Sequence, residues 1–325
     1  MPVSGSLFTT FAAFAFPLVL VAVGAVVAVA AVVLTGCGGG GKKKGAASST
    51  MAMTSTSTST GMIMTHKNAK IAAEVPKNVK SKGTLTVAAD ATYAPNEFVG
   101  SNGHTVMGMD PDLAQALAGV LGLKFKVVNA SFDTIIPGLQ SGKYDLGMSS
   151  FTDTKEREKV VDFVTYFSAG TSFYDKASGG PTINSLADLC GHSVAVERGT
   201  TQADDATAQN KKCKSAGKSG VKVAVYPDQN GANLAISSGR QQVGMADSPV
   251  AAYIVKKSNG TFKLTGKPYN TAPYGIAIPK NNGMAKPILD ALKELISNGT
   301  YMNILKKWGI SAGAITNPTI NGAIS

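Results

Sequence analysis

The segment DLGMSSFTDTKEREKVVDF, residues 145–163, places small hydroxyl side chains ahead of a single arginine, Arg157. The hydroxyl residues are Ser149, Ser150 and Thr152. The chain has 28 lysines but only three arginines, so arginine is a rare choice here. A guanidinium is a planar fork that can bind a carboxylate through two parallel hydrogen bonds, which an ammonium cannot do. Taken alone, the segment is more typical of a solvated helix with internal ion pairs, and a carboxylate-binding site is the alternative, which the motifs described below favour.

Other candidate binding residues directly follow predicted strands. They are Asp90, Ser149, Gly199 and Asp247. Because ligands of α/β sheets bind at the carboxyl ends of the strands, these residues are expected at one site. Asp247 has a simpler alternative role as the N-cap of the helix predicted for SPVAAYIVKK.

Strands and helices alternate along the chain from about residue 82. The predicted strands are TLTVAAD, KFKVV, YDLGM, HSVAV, VKVAVY, QVGMA and YGIAIPK. The predicted helices are DPDLAQALAGVLG, with Asp110 as N-cap and Pro111 at the first position, DTIIPGLQSG, residues 201–212, GANLAISSG, SPVAAYIVKK and residues 284–307. The pattern restarts near SGGPT at residue 180, so we predict an α/β fold with mainly parallel strands in two units.

The positive charge of the chain is scattered. The net charge is +11, and residues 1–70 contribute five lysines and no acidic residue. The lysines form no basic helix face and do not alternate with aromatic residues, as they do in nucleic-acid-binding segments. We therefore expect no nucleic-acid partner. A hydrophobic content of 44% suffices for the core of one large or two moderate domains.

The first segment indicates the compartment. Residues 11–34 carry no charge and are long enough to cross a bilayer. The tetrad LTGC, residues 34–37, resembles a bacterial lipobox, which implies a signal peptide over residues 1–37 and lipidation of Cys37. The alternative is an uncleaved membrane anchor. In both cases the chain is exported, and we expect it at the outer face of the cytoplasmic membrane.

A polar tract follows the lipobox. Residues 38–70 are rich in Gly, Ser, Thr, Met and Lys and include TSTSTSTG. Such a tract buries too little apolar surface to offset its chain entropy. We predict a flexible tether over residues 38–80, ahead of the folded module.

Two cysteines remain if Cys37 is lipidated. Export is an oxidising route, so Cys190 and Cys213 are predicted to form a disulfide. The alternative is two separate buried thiols. The three histidines, His66, His104 and His192, are far apart in sequence and lack metal-ligand spacing, so we expect no metal site and no cofactor.

Five ordered segments together resemble one family, the amino-acid-binding class (family 3) of bacterial extracellular solute-binding proteins of ABC importers, such as the histidine- and lysine/arginine/ornithine-binding proteins. The segments are DATYAPNEF (90–98), GMDPDLAQALA (108–118), FDTIIPGLQSGKYDLGMSSFTDTKER (132–157), VERGTTQ (196–202) and GRQQVGMADSPVA (239–251). The resemblance implies a two-lobed periplasmic-binding-protein-like fold of type II, with two crossover hinge strands and a ligand cleft between the lobes. Lobe one would comprise residues 81–170 and 273–325, and lobe two residues 171–272.

The resemblance also implies roles for the residues that match the family's motifs. Arg157 would clamp the ligand's α-carboxylate, with donors from Ser149, Ser150, Thr152 and Thr201. Asp247 would accept the α-ammonium, and Tyr93 and Phe132 would sandwich the ligand side chain. Asp90 and Glu197 would read its distal group, although the neighbouring Arg198 could neutralise Glu197. Asn96 departs from the aromatic or apolar residue that is usual after AP.

These expectations define a function. We predict a monomeric, membrane-anchored binding lipoprotein that captures a free L-amino acid by hinge closure and delivers it to an ABC permease. Arginine, lysine or ornithine is the favoured ligand, and glutamine or asparagine comes next. The predicted protein is not an enzyme. The alternatives are a cyclohexadienyl or arogenate dehydratase on the same fold, with Glu197 as general acid, and an amino-acid sensor module.

Overall fold

The computed structural model describes residues 65–324. The helices are α1 (Ala69–Glu74), α2 (Lys77–Lys82), α3 (Met109–Leu121), α4 (Phe132–Gln140), α5 (Lys155–Glu158), α6 (Thr201–Ser215), α7 (Gln229–Ser237), α8 (Ser248–Lys257), α9 (Ala285–Ser297) and α10 (Thr300–Trp308). The strands are β1 (Thr84–Ala89), β2 (Thr92–Tyr93), β3 (Glu97–Val99), β4 (Val106–Met107), β5 (Lys124–Asn129), β6 (Leu146–Gly147), β7 (Val161–Lys176), β8 (Ser193–Glu197), β9 (Lys222–Tyr226), β10 (Val243–Asp247) and β11 (Phe262–Pro279).

Eight of these strands form one sheet that runs through both lobes. Its order is β5-β1-β6-β11-β7-β10-β8-β9. The group β5-β1-β6 is parallel and belongs to lobe one, and the group β10-β8-β9 is parallel and belongs to lobe two. The long strands β7 and β11 lie between the two groups and pair antiparallel with each other. The predicted α/β class is confirmed, but the strands are not mainly parallel: the long antiparallel pair β7–β11 lies at the centre of the sheet, and β2, β3 and β4 form a separate antiparallel sheet.

Strands β7 and β11 connect the two lobes. Their pairing shifts register between Thr265 and Tyr269 and again between Tyr269 and Ala272. At this point a Cβ on Gly170 would lie 2.8 Å from the carbonyl oxygen of Tyr269, so only glycine permits the close approach. The predicted lobe boundaries, 170/171 and 272/273, fall within this irregular segment. The sequence predicted only the last part of β11, because the polar stretch before it has no strand pattern of its own.

Each lobe has its own apolar core. In lobe one, α3 buries Leu113 and Leu117 against β1, β11 and α9, on the face that the sequence predicted. In lobe two, strands β8 and β10 pack with α6. The predicted disulfide between Cys190 and Cys213 is present and ties α6 to the segment before β8.

Three local predictions differ from the structure. Asp110 is not the N-cap of α3, because the helix begins at Met109 and the Asp110 side chain turns inward. The predicted helix 284–307 is two helices, α9 and α10, separated at Gly299, whose φ is +82°. The folded module also starts earlier than residue 81, because α1 and α2 bury Ile71 and Val79 in the core of lobe one.

The chain ends in a segment that the sequence did not predict, which we call the C-terminal strap (residues 314–324). It pairs with the first half of β7, where Thr165 N–H donates to Thr319 O at 2.9 Å. Further along, Gly322 N–H donates to Asp153 Oδ2 at 2.8 Å and Ala323 N–H donates to Glu158 Oε1 at 3.0 Å. These two carboxylates flank Arg157, so the strap buttresses the segment that carries this arginine.

The predicted signal peptide, Cys37 and the tether up to residue 64 lie outside the described residues and stay predictions. Within residues 65–324, none of the helices combines the length and the apolar character needed to cross a bilayer. The same part of the chain contains no group of three or more His, Cys, Asp or Glu side chains placed to hold a metal ion.

Candidate ligand-binding site

A small cavity of about 10 Å³ lies between the lobes. All ten residues predicted to bind ligand line it. The full lining is Asp90, Tyr93, Glu97, Phe132, Ser149, Ser150, Thr152, Arg157, Glu197, Thr200, Thr201, Gln202 and Asp247. Sequence reasoning missed Glu97, Thr200 and Gln202. Their place in the sequence could have identified them, because all three lie within the segments DATYAPNEF and VERGTTQ that carry the family resemblance.

The strand ends bring the site together. Glu197 and Asp247 are the last residues of β8 and β10, while Asp90 and Ser149 lie just beyond β1 and β6. The backbone N–H of Asp90 donates to Ser149 Oγ at 2.8 Å, which joins the ends of β1 and β6. The expectation that ligands bind at the carboxyl ends of parallel strands therefore identified residues of this cavity from the sequence alone.

Arg157 lies on the short helix α5 and reaches across the cleft. Its Nη1 donates to Thr152 O and its Nη2 donates to Gly199 O, both at 2.9 Å. The guanidinium also lies over the rings of Phe132 and Phe151, at 5.4 and 5.5 Å from their centroids. Burial lowers the pKa of Arg157 to about 10, so it stays charged at neutral pH. It forms no salt bridge within residues 65–324, which leaves its charge available to a ligand anion.

Asp247 is buried, with 6% of its surface exposed. Its Oδ1 accepts from Gln202 Nε2 and its Oδ2 accepts from Tyr274 OH, both at 2.8 Å. Asp247 stands at the N-cap position of α8, but its side chain makes no capping hydrogen bond, so its carboxylate is directed to the site. Burial raises the pKa of Asp247 to about 6.

The two predicted aromatic residues face the cavity and also connect parts of the protein. Tyr93 OH of lobe one accepts a hydrogen bond from the Asp247 N–H of lobe two at 2.9 Å. Phe132 stacks on Phe151 with ring centroids 4.5 Å apart. The Phe132 N–H donates to Asp90 Oδ2 at 2.9 Å, so the ring and the carboxylate are positioned together.

Asp90 and Glu197 supply two further buried carboxyl groups. Asp90 accepts from Thr92 Oγ1 at 2.7 Å as well as from the Phe132 N–H. Glu197 Oε1 is buried and has no hydrogen-bond partner within the described chain. Arg198 does not neutralise Glu197, because it turns to Asp133, with Nη1 and Oδ2 3.6 Å apart. Burial, together with the nearby Asp90, raises the pKa of Glu197 well above its usual range.

A second polar network fixes the two serines. Ser149 Oγ and Ser150 Oγ donate to the carboxyl oxygens of Glu97 at 3.3 and 3.1 Å. Ser150 has a left-handed backbone, with a φ of +53°, and its N–H donates to Asp110 Oδ2 at 3.0 Å. Burial beside Asp110 raises the pKa of Glu97 well above its usual range. Asn96 is buried and donates to Ser150 Oγ at 2.9 Å, so it supports this network rather than shaping the cleft mouth.

The cavity has two ends. One continues into an opening whose lining includes Thr152, Thr201 and Asp247, and the other continues into an opening lined in part by Asp90 and Asp228. Carboxylates line both openings, with Asp204, Asp205 and Asp247 at the first and Asp90 and Asp228 at the second.

The sequence profile of the bacterial extracellular solute-binding proteins, family 3, matches residues 85–311. The chain belongs to this family. The matched residues span both lobes and include every residue that lines the cavity.

Three relatives show what this solute-binding protein is similar to. It is 34% identical to the arginine-binding protein ArgT of Corynebacterium glutamicum, over 78% of this chain and 83% of that protein. It is 31% identical to the L-cystine-binding protein TcyJ of Escherichia coli strain K12, over 71% and 84% of the two chains. A solved ancestral arginine-binding protein bound to arginine is 39% identical, with a TM-score of 0.63 over 70% of this chain and 98% of that one. The predicted two-lobed fold is confirmed by this likeness.

The named relatives of this solute-binding protein bind amino acids, and none of the three is named as an enzyme. Its cavity is lined by side chains of opposite charge, the guanidinium of Arg157 and the carboxylate of Asp247.

Proposed function

We propose that this protein is the binding subunit of an ABC importer for a free L-amino acid with a cationic side chain. The observation that carries the proposal is that the guanidinium of Arg157 and the buried carboxylate of Asp247 line one cavity. A buried charge without a partner is very costly, so each group requires a ligand charge of the opposite sign when the cleft closes. A free amino acid supplies both charges on one carbon atom.

Arg157 holds the α-carboxylate through the N–H groups that its bonds to Thr152 O and Gly199 O leave free. Amides and hydroxyls of Thr152 and Thr201 add donors, whereas the N–H and hydroxyl of Ser150 already donate to Asp110 and Glu97. Asp247 accepts the α-ammonium, and the bonds from Gln202 and Tyr274 hold its carboxylate in place.

The ligand side chain lies between Tyr93 and Phe132 and points to Asp90 and Glu197. Aromatic faces suit an aliphatic stem as well as a cation. Two carboxyl groups at one end favour arginine, lysine or ornithine, and the amide group of glutamine or asparagine satisfies them less well. An arginine-binding relative and an ancestral structure bound to arginine support this order.

Binding proceeds by hinge closure. The open form holds the amino acid on one lobe, and contacts from the other lobe then favour the closed form. Strands β7 and β11 form the hinge, and their irregular pairing near Gly170 provides the flexible point. The closed monomer, anchored through a lipid on Cys37, delivers the ligand to a membrane permease without any covalent chemistry on the amino acid.

Calorimetric titration tests the proposal. Residues 38–325 are unfolded and refolded to remove carried ligand, and each of the twenty amino acids and ornithine is added in turn. We expect one chemical group of amino acids, the cationic one, to bind with a Kd in the micromolar range or below. If well-folded protein gives no heat with any amino acid, the proposal is wrong. If an acidic or amide amino acid binds most tightly, the roles of Asp90 and Glu197 are wrong.

A further inference from the structure

Two carboxyl groups from opposite lobes come together in the closed cavity. Asp90 follows β1 in lobe one, and Glu197 ends β8 in lobe two. Their side chains line the same cavity, and only 4% of Asp90 and 3% of Glu197 is exposed. Because they belong to different lobes, opening of the hinge separates them and returns water to both.

Protein cations do not neutralise this pair. Asp90 accepts one hydroxyl and one backbone N–H, and neither donor carries a charge. Glu197 Oε1 has no partner at all among the described residues. The two arginines nearest in the chain to the site are engaged elsewhere, Arg198 with Asp133 and Arg157 with two backbone carbonyls.

The surrounding groups add to the imbalance. Asp228 and Asp247 lie close enough to Glu197 to raise its pKa further. The other titratable side chains that face it, Tyr93 and Tyr174, are buried phenols whose own pKa values are raised, so both are neutral. Closure of the empty protein thus either brings two carboxylates together in a dry cavity or takes up a proton at neutral pH. Both are unfavourable.

We propose that Asp90 and Glu197 form an electrostatic lock that opposes closure of the empty protein and is released by a cationic side chain lying between them. The proposal rests on the proposed function for the identity of the ligand, but it concerns the closure step. A neutral amino acid can satisfy Arg157 and Asp247 and still leave the lock in force. Selectivity for a cation then arises when the lobes close, in addition to any contact made in the open form.

The lock also has a consequence for the empty protein. A ligand shifts the open–closed equilibrium only by its different affinity for the two states. If closure without ligand is unfavourable, the empty protein stays open, and a permease that recognises the closed form does not meet empty copies. Glu197 is in this sense a specificity-determining residue for closure.

The test compares Glu197→Gln with Glu74→Gln in the chain from residue 38 to 325. Both changes remove one negative charge, but Glu74 lies on α1 and pairs with Lys286, away from the cavity. The first measurement is the radius of gyration of the refolded, ligand-free proteins by small-angle X-ray scattering. We expect Glu197→Gln to shift the empty protein towards the compact closed form, and Glu74→Gln to match the unmodified protein.

The second measurement is calorimetry with arginine and glutamine. We expect Glu197→Gln to lower the preference for arginine over glutamine at least tenfold, with tighter binding of glutamine as part of the change, because the lock no longer opposes closure around a neutral side chain. Asp90→Asn should have a similar effect, and the double variant should add little to either single change, because either one alone dissolves the like-charge pair.

An unchanged radius of gyration together with an unchanged arginine-to-glutamine ratio in Glu197→Gln and in Asp90→Asn would overturn the lock. Fully additive effects of the two substitutions would overturn the pairing of these residues. Failure of the proposed function looks different: the unmodified protein would bind no amino acid, while the scattering comparison, which uses no ligand, would still support or reject the lock.

Discussion

Arg157→Lys is the most informative substitution in the α-carboxylate site, because it keeps the positive charge and removes the planar fork. In the structure, Arg157 uses one N–H each to bind Thr152 O and Gly199 O. A guanidinium has five N–H donors, which leaves three for a ligand, whereas an ammonium has only three in all. The N–H groups of an ammonium also diverge from a single nitrogen, so lysine cannot bind a carboxylate through two parallel bonds while it keeps the bond to Gly199 in lobe two.

The magnitude follows from the bonds that are lost. A hydrogen bond to a charged group contributes about 1.5 to 3 kcal/mol. Loss of one bond to the ligand and of the bond to Gly199 should cost about 3 kcal/mol, which corresponds to a rise in Kd of roughly a hundredfold. The weaker stacking of an ammonium on Phe132 and Phe151 acts in the same direction.

The assay is calorimetry with the amino acid that the unmodified protein binds most tightly. Arg240→Lys is the matched control, since Arg240 is exposed and its side chain bonds only Ser238 Oγ among the described residues. We expect Arg240→Lys to bind normally and both variants to keep their thermal unfolding temperature within a few degrees. Unchanged affinity in Arg157→Lys would refute the role of Arg157 as the carboxylate clamp. Equal losses of affinity in the two variants would show that an arginine-to-lysine change weakens binding wherever the arginine lies.

Two further predictions concern acids whose pKa values burial raises. The pKa of Asp247 is about 6, and an ammonium ligand favours its ionised form, so affinity should fall by up to about tenfold per pH unit below that value. Calorimetry between pH 7 and 5 should show this step in the unmodified protein, and a step of equal size in Asp247→Asn would contradict the role. Burial also raises the pKa of Asp153 to about 7, so its contribution to stability falls as pH rises from its unfolded value of about 4 towards 7. Urea unfolding of Asp153→Asn should therefore show a gain over the unmodified protein at pH 8 that is much smaller at pH 4, and an equal gain at both pH values would argue against this titration.

The sequence predicted those site residues that follow a strand or lie within a family segment. Glu197 and Asp247 reach the cavity because they end the neighbouring parallel strands β8 and β10 of lobe two, and Asp90 reaches it because it follows β1 of lobe one. The partners that hold these residues were not predictable in the same way. Tyr274 donates to Asp247 from strand β11, and nothing in its local sequence distinguishes it from an ordinary core tyrosine.

The wrong predictions for Asp110 and for helix α1 also result from contacts between residues that are far apart in the sequence. Asp110 precedes a proline and an apolar helix, which is typical of an N-cap, yet the buried Ser150 N–H competes for its carboxylate. Helix α1 was assigned to the tether because its six residues are too few to show a helical pattern. Its position is fixed instead by distant contacts, such as the bond from Asn68 Nδ2 to Glu294 Oε2 at 2.6 Å, across 226 residues. Local pattern cannot reveal a contact between opposite ends of a chain.

The strand order of the central sheet bears on how the chain is made. In the sheet, β6 lies between β1 and β11. Strand β6 therefore has no neighbour on its inner side until residues beyond 262, which form β11, have been synthesised. Helices α9 and α10, which close the core of that lobe, come later still. A nascent chain therefore cannot complete lobe one until almost all of it has left the ribosome. For a protein whose family is extracellular, this arrangement delays folding until export of the unfolded chain can begin.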